Sequence, residues 1–166
     1  MQITSEISQA FEIEIAKYPV NQRQSAVMAC LALVQCKYGW LSPDLIQSVA
    51  HYLCMPAIAV QEVATFYNMY NNVPVGQFKL NICTNLPCQL GQQGGGQAAL
   101  NYVCDKLSIK PYETTPDGIF TVQPSECLGA CADAPVMLVN DQTMCSYMDS
   151  VKLDNLLDGL RTRSTK

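Results

Sequence analysis

The chain is short of charge: Asp, Glu, Lys and Arg together make up 14% of its 166 residues, against about 25% in ordinary soluble domains. Its net charge is −4, and it has no run or stripe of Lys and Arg with which to displace counterions from phosphates, so nucleic acid is excluded as a partner. So little charge implies surface meant to be buried in a larger assembly. Long apolar runs are also missing. The longest, Ala26 to Val34, falls far short of the ~20 residues a membrane-spanning helix needs, so direct membrane insertion is not expected. The opening segment MQITSEISQAFEIEI is acidic, with no basic stretch leading into an apolar one. It does not read as a signal peptide, and the expected location is cytoplasmic. A CxxC redox pair, a GK[ST] phosphate loop, internal repeats and low-complexity tracts are all absent from the sequence. Histidine occurs once, at His51.

Cysteine, by contrast, is plentiful, with nine in the chain. An odd count in a reducing compartment argues against a disulfide scaffold and for metal or cluster ligation. Four of the nine stand in two close pairs, Cys83 and Cys88 in CTNLPC and Cys127 and Cys131 in CLGAC. Hydrophobic residues make up 49% of the chain, enough for a real core in one domain or in a compact domain with a substantial appendage.

The first seventy or so residues read as helical. Asn21 is the expected cap of a segment in which Val27, Cys30, Leu31, Val34 and Tyr38 recur at threes and fours, with Gly39 as its stop. Ser42-Pro43 restarts the chain with a cap and a first-turn proline, and Leu45, Ile46, Val49, Tyr52 and Leu53 form the apolar face, ended by Pro56. A further helix spans Ile58 to Tyr67. The run Asn71 to Gly76 reads as a linker. Beyond it, Phe78, Leu80 and Ile82 alternate as a strand that delivers Cys83 to its end. The glycine-rich turn Gly91 to Gly96 leads into a helix with Ala98, Leu100, Tyr102, Val103 and Leu107. Ile119 to Val122, Val136 to Val139 and Thr143 to Met148 are the remaining strands, with a turn at Asn140-Asp141. Asp149 or Ser150 caps a last helix through Leu160. This order predicts an α+β chain: a helical bundle over residues 1–75, then a small α/β domain over 76–166 with helices against one sheet.

Thiolates in loops that follow strands can hold a metal, and nearby backbone amides, those of Thr84 to Leu90 and Leu128 to Ala130, are placed to donate to the sulfurs. Such hydrogen bonds, with net charge and exposure, set the potential of an iron–sulfur cluster. Spacing alone leaves a two-iron cluster and a four-cysteine zinc site equally open. The remaining cysteines, Cys30, Cys36, Cys54, Cys104 and Cys145, read as buried inert thiols. Gly94, Gly96 and Ala99 satisfy GxGxxA before a helix, but the strand-to-glycine junction of a dinucleotide site is missing. His51 has no ligand partner at metal spacing and reads as a surface or packing residue. Trp40, Phe66 and Tyr67 read as core or interface anchors.

Taken in order, GWLSPDLIQSVAHYL, EVATFYNMYNNVPVG, CTNLPC and CLGACADAPVMLVND resemble the small 2Fe-2S subunit of the NADH-oxidising module of respiratory complex I. The resemblance runs from about Arg23 to the C-terminal helix. It implies a thioredoxin-like domain behind an N-terminal helical bundle, with one 2Fe-2S cluster on Cys83, Cys88, Cys127 and Cys131. It further implies single-electron exchange with FMN in a partner flavoprotein subunit that also binds NADH, contact with other peripheral-arm subunits, and a place at the inner membrane through the complex alone. No bond chemistry would occur on this chain. The same module in an NAD-linked hydrogenase or formate dehydrogenase is the near alternative, and a structural four-cysteine zinc module for protein interaction the distant one. The glycine-rich insertion Gln92 to Gln97 and the surplus cysteines depart from the family pattern.

Overall fold

In the computed structural model, which describes residues 3–91 and 94–164, the chain divides into two compact units between Pro74 and Val75. The first is all helix: α1 (Ser5–Ile15), a 3-10 segment (Val20–Ala26), α2 (Val27–Tyr38), α3 (Pro43–Leu53) and α4 (Ala57–Phe66). Each turns one apolar stripe inward. Phe11, Leu31, Val34, Leu45, Val49 and Val60 are among the residues that close its core. Ser42 caps α3 as expected, its Oγ accepting from Leu45 N at 3.3 Å, with Pro43 in the first turn. Gly39 ends α2 in the left-handed region at φ +81°, where glycine carries no Cβ penalty.

Two local expectations fail here, and a third is narrowed. Asn21 caps nothing: Pro19 starts a 3-10 turn, Gln22 N–H donating to its carbonyl at 2.7 Å, and α2 grows out of that turn from Ala26. Pro56 does not stop α3. The helix closes earlier, at Cys54, left-handed at φ +55°, and Met55 N–H donates back to Ala50 O at 2.9 Å. Of the two roles read for Phe66, core or interface anchor, the core one does not hold. It stands 81% exposed, edge-on to the partly exposed Tyr67 ring.

The boundary between the units falls inside the segment read as a linker, and its first two residues are tied to the first unit. Asn71 N–H donates to Gln35 Oε1 at 2.6 Å, its side-chain amide to Gly39 O at 3.1 Å, and Asn72 Nδ2 to Ala64 O at 2.9 Å. Helix periodicity carries no trace of such bonds, because they join a loop to helices that precede it in the chain.

The second unit has one sheet in the order β2-β1-β3-β4: β1 (Phe78–Cys83), β2 (Phe120–Ser125), β3 (Met137–Val139) and β4 (Thr143–Cys145). β1 and β2 run parallel, joined through a single helical turn, α5 (Leu86–Gln89), and the longer α6 (Gly95–Leu107). The rest is antiparallel, so a βαβ half meets a ββα half that ends in α7 (Ser150–Ser164). The mixed α+β class expected from the element order holds. Leu80, Ile82, Phe120, Val122, Met137 and Val139 pack with Leu100 and Val103 of α6 and Leu153 and Leu157 of α7.

β1 departs from simple alternation, since Lys79 and Asn81 are as buried as their apolar neighbours. They are buried with partners. Lys79 Nζ pairs with Asp141, Asn81 Nδ2 donates to the same carboxylate, and Gln123 Nε2 donates to Asn81 Oδ1 at 2.7 Å. Asn140 and Asp141, at φ +52° and +55°, turn the chain between β3 and β4 in a region these two residue types tolerate.

Asp149 caps α7 through Lys152 N–H at 2.8 Å, as its position before an apolar-periodic stretch suggests. A polar clamp joins α6 to α7: Tyr102 donates to Asp154 Oδ1 at 2.8 Å and Lys106 pairs with the same carboxylate. The Lys106 hydrogen bond first, then that from Tyr102, holds the Asp154 carboxyl below the usual aspartate range. A depressed folded pKa stabilises the fold above the unfolded value, near ~4, and the contribution is lost as pH falls through the folded one. Asp154→Asn is therefore expected to lower the Tm slightly at neutral pH and to flatten the acid limb below about pH 4. Thermal melts of both proteins across that range check it, and parallel acid limbs would contradict the assignment.

Candidate metal centre

Both cysteine pairs come to one end of this sheet. Cys83 is the last residue of β1, held from two sides: its N–H donates to Val136 O at 3.1 Å, and the next amide, Thr84 N–H, donates to Ser125 O at 3.0 Å. The chain then turns through Asn85 into α5, which has Pro87 in its only turn and carries the buried Cys88. An extended residue followed by a proline two positions on is a helix-start signal, and it is the one trace of α5 in the sequence. Gln89 Nε2 closes the turn on Thr84 O at 2.7 Å.

The second pair lies beyond β2, which ends at Ser125. Cys127 sits in the loop, and Cys131 opens a 3-10 turn, Cys131–Asp133. Between them Gly129 adopts φ +77°, and this left-handed step aims its N–H at Cys127 Sγ, 3.4 Å away. Of the amides expected to reach sulfur in this loop, that of Gly129 does so. Those of Thr84, Gln89 and Leu90 are spent on backbone carbonyls. A donor that spacing does not suggest, Val136 N–H, acts on Cys88.

Two ties outside the cysteines fix the loops. Asn85 Nδ2 donates to Glu126 Oε2 at 3.0 Å, linking the two cysteine loops directly. Asp133 is held from beyond β4, accepting from Tyr147 Oη at 2.8 Å while its carbonyl accepts Tyr147 N–H at 2.8 Å.

The four sulfurs differ in setting. Cys83 and Cys88 are each 1% exposed and pack with Val136, Leu128, Ala130 and Ala134 in a small apolar cluster to which both loops contribute. Cys127 and Cys131 are exposed, with Sγ atoms 3.9 Å apart. Burial, then the hydrogen bond and charge of Cys83, push the Cys88 thiol up to about 11, and Cys131 adds to the rise. The Cys131 thiol is raised chiefly by its hydrogen bond and charge from Cys127, and Cys83 contributes here too. Each pair therefore feels the other. Among the described residues no three His, Cys, Asp or Glu side chains gather around one point.

The surplus cysteines do not join them in that apolar cluster. Cys30 and Cys104 are buried among apolar residues, as expected, but Cys36 and Cys54 are exposed: one lies near the C-terminal end of α2, the other at the left-handed cap of α3. His51 is an exposed residue of α3. The glycine run has a packing role. A Cβ on Gly96 would overlap Cys83 O, and one on Gly95 would overlap the carbonyl oxygens of Cys88 and Gln89, each far closer than real Cβ atoms come. These glycines let the start of α6 press on the backbone of the first cysteine loop, which accounts for the GxGxxA pattern without a nucleotide. Of the expected insertion Gln92 to Gln97, Gln92 and Gln93 lie outside the described residues.

A family model for thioredoxin-like [2Fe-2S] ferredoxins matches residues 11–161. A protein of Thermus thermophilus named NADH-quinone oxidoreductase subunit 2 is 40% identical over 150 residues, covering 90% of this chain and 81% of that protein. An NADH-quinone oxidoreductase subunit of Rickettsia typhi is 41% identical over 149 residues, covering 89% of this chain and 85% of its own length. Among solved structures, an air-oxidised NAD+-reducing [NiFe]-hydrogenase is similar with a TM-score of 0.67 at 20% identity. That likeness covers 80% of this chain and spans only 23% of the hydrogenase chain, and it concerns the fold alone.

Proposed function

This chain belongs to the thioredoxin-like [2Fe-2S] ferredoxin family, and from that premise we propose that it is the small electron-transfer subunit of an NADH-quinone oxidoreductase. Cys83, Cys88, Cys127 and Cys131 are its cluster ligands, and its redox partner is a flavoprotein subunit that holds FMN and binds NADH. Other peripheral subunits of that complex would cover its charge-poor surface and keep it at the membrane. Among the described residues no helix is long and apolar enough to cross a membrane.

The observation that carries the reading is the meeting of two cysteine loops in one apolar cluster at the end of a thioredoxin-like sheet, with the Cys127 and Cys131 sulfurs 3.9 Å apart. A two-iron cluster takes two thiolates per iron, which suits pairs. The donor set is all thiolate, which suits iron–sulfur ligation.

When bound, the cluster supplies a one-electron carrier. The chain holds it and sets its surroundings. Cys83 and Cys88 keep one side away from water behind Val136 and Leu128, and the amides of Gly129 and Val136 stabilise sulfur charge on either side. Those hydrogen bonds favour the more negative, reduced state and so raise the potential. A quinone oxidoreductase is preferred to a hydrogenase as the parent because the likeness to the former is 40% in sequence and that to the latter rests on fold.

Protein purified anaerobically is expected to be brown, to bleach with dithionite and to hold about two irons per chain. Cys127→Ala abolishes the visible and paramagnetic signals, whereas Cys36→Ala leaves them intact. A colourless protein with one zinc, or cluster loss in Cys36→Ala, would show the assignment to be wrong. Affinity capture that brings down membrane quinone-reducing subunits identifies the parent complex.

A further inference from the structure

The two pairs are unequally accessible, and the inequality comes from the protein around them. Cys83 is hydrogen-bonded into the sheet on both sides, its carbonyl lies under the first turn of α6, and Cys88 faces Val136. Leu128 and Ala130 of the second loop pack against the cluster that Cys83 and Cys88 form with Val136. Cys127 and Cys131 are themselves on that loop and exposed. Their separation of 3.9 Å is close to the ~3.8 Å that two thiolates span on one tetrahedral metal. The loop keeps that spacing because both ends are pinned, by Asn85 to Glu126 before it and by Tyr147 to Asp133 after it.

We propose that Cys127 and Cys131 are the point at which the site is loaded: a [2Fe-2S] unit delivered on thiolates of a carrier is captured first by this exposed pair, and Cys83 and Cys88 close on it second. The proposal rests on the ligand reading above. Each capture step is a ligand exchange. An iron–Sγ bond forms as an iron–carrier sulfur bond breaks, the cysteine proton leaves on the carrier thiol, and no electron moves. Two exchanges at the outer iron precede two at the inner one. The carrier is thus recognised as a thiolate-held cluster, and the 127–131 loop is the surface that meets it.

The test uses the full chain stripped of iron and a [2Fe-2S] cluster ligated by glutathione as the probe, with visible circular dichroism following transfer. In Cys127→Ser/Cys131→Ser the initial rate of capture is expected to fall by at least about ten-fold. Cys83→Ser/Cys88→Ser should capture at close to the parent rate but release the cluster again to excess glutathione. Capture by the first variant at the parent rate, with none by the second, overturns the order. Because a variant can misfold, the parent protein is also treated briefly with iodoacetamide and mapped by mass spectrometry. Cys127 and Cys131 should label at least about ten-fold faster than the buried Cys83 and Cys88; equal labelling of the inner pair overturns the proposal. A parent chain that takes up no cluster would instead sink the ligand reading itself, so the two failures are told apart.

Discussion

Gly96→Ala is expected to disable the candidate centre without touching a sulfur. The added methyl would overlap the carbonyl oxygen of Cys83, and the obstacle is backbone that the sheet holds through Val136 and Ser125. Neither side can give way cheaply. Either the first turn of α6 lifts off, which uncovers Leu100 and Val103, or Cys83 is pushed out of register with its partner across β1 and β2. Overpacking of this kind costs about 3 kcal/mol, and more where only backbone can move. The C-terminal unit should therefore melt well below the parent, with a Tm loss of ~10 °C or more on the usual conversion for a domain of this size. Iron bound per chain should fall as well. Thermal melts and iron analysis check both, and a Gly96→Ala protein with parental Tm and iron content would show that α6 does not press on the cysteine loop. Gly129→Ala is the internal contrast. Nothing lies within 4 Å of its added methyl, so only the left-handed backbone is penalised, at ~1–2 kcal/mol.

Asp141→Asn is expected to destabilise the same unit by about 2–3 kcal/mol, since it takes the carboxylate away from a buried ammonium. Lys79 is 2% exposed, whereas the Asp141 side chain is 24% exposed at its end of the pair. Asparagine keeps the shape and tolerates the positive φ, but its amide offers one acceptor where the carboxylate serves Lys79 on one oxygen and Asn81 on the other, so the loss reports the charge together with that acceptor. The cost sits below the ~3–5 kcal/mol of a wholly enclosed pair, because water still reaches the carboxylate side. The reverse variant, Lys79→Met, should cost less: it removes the buried ammonium and leaves a carboxylate that can hydrate. Urea denaturation of the two variants gives the order, and a larger loss in Lys79→Met would mean that the carboxylate, not the ammonium, is the group the fold must satisfy.

Much of the architecture is legible along the chain, because the signals involved are local. Ser42-Pro43 before an apolar-periodic stretch, Gly39 at a helix end and Asp149 before α7 each satisfy backbone groups within a few residues, and such groups can be read in order. Expectations that depend on which of two local signals wins are less secure. Asn21 loses to the turn begun by Pro19, and Pro56 is pre-empted by Cys54. The helical turn that carries Cys88 escapes notice because four residues are too few for any periodicity to develop. Composition predicts Cys36 and Cys54 to be buried, yet exposure follows from where a residue falls on its helix, and both fall at ends.

The cysteine spacing by itself grouped four thiols into two pairs, the alternation of Phe78, Leu80 and Ile82 put Cys83 at a strand end, and the scarcity of charge raised the expectation of burial against partners. The family motifs made an iron–sulfur site the expected chemistry. Only the tertiary structure decided that the two loops share one apolar cluster, that one pair is enclosed and the other open, and that glycines resembling a nucleotide fingerprint are there to let a helix rest on a carbonyl. It also buried Lys79 and Asn81 beside apolar neighbours by supplying Asp141 and Gln123 from other strands and turns. The reason is common to all of these: spacing records what a residue meets within a turn or a strand, whereas burial, approach and pairing are set by distant segments that the chain brings together only when it folds.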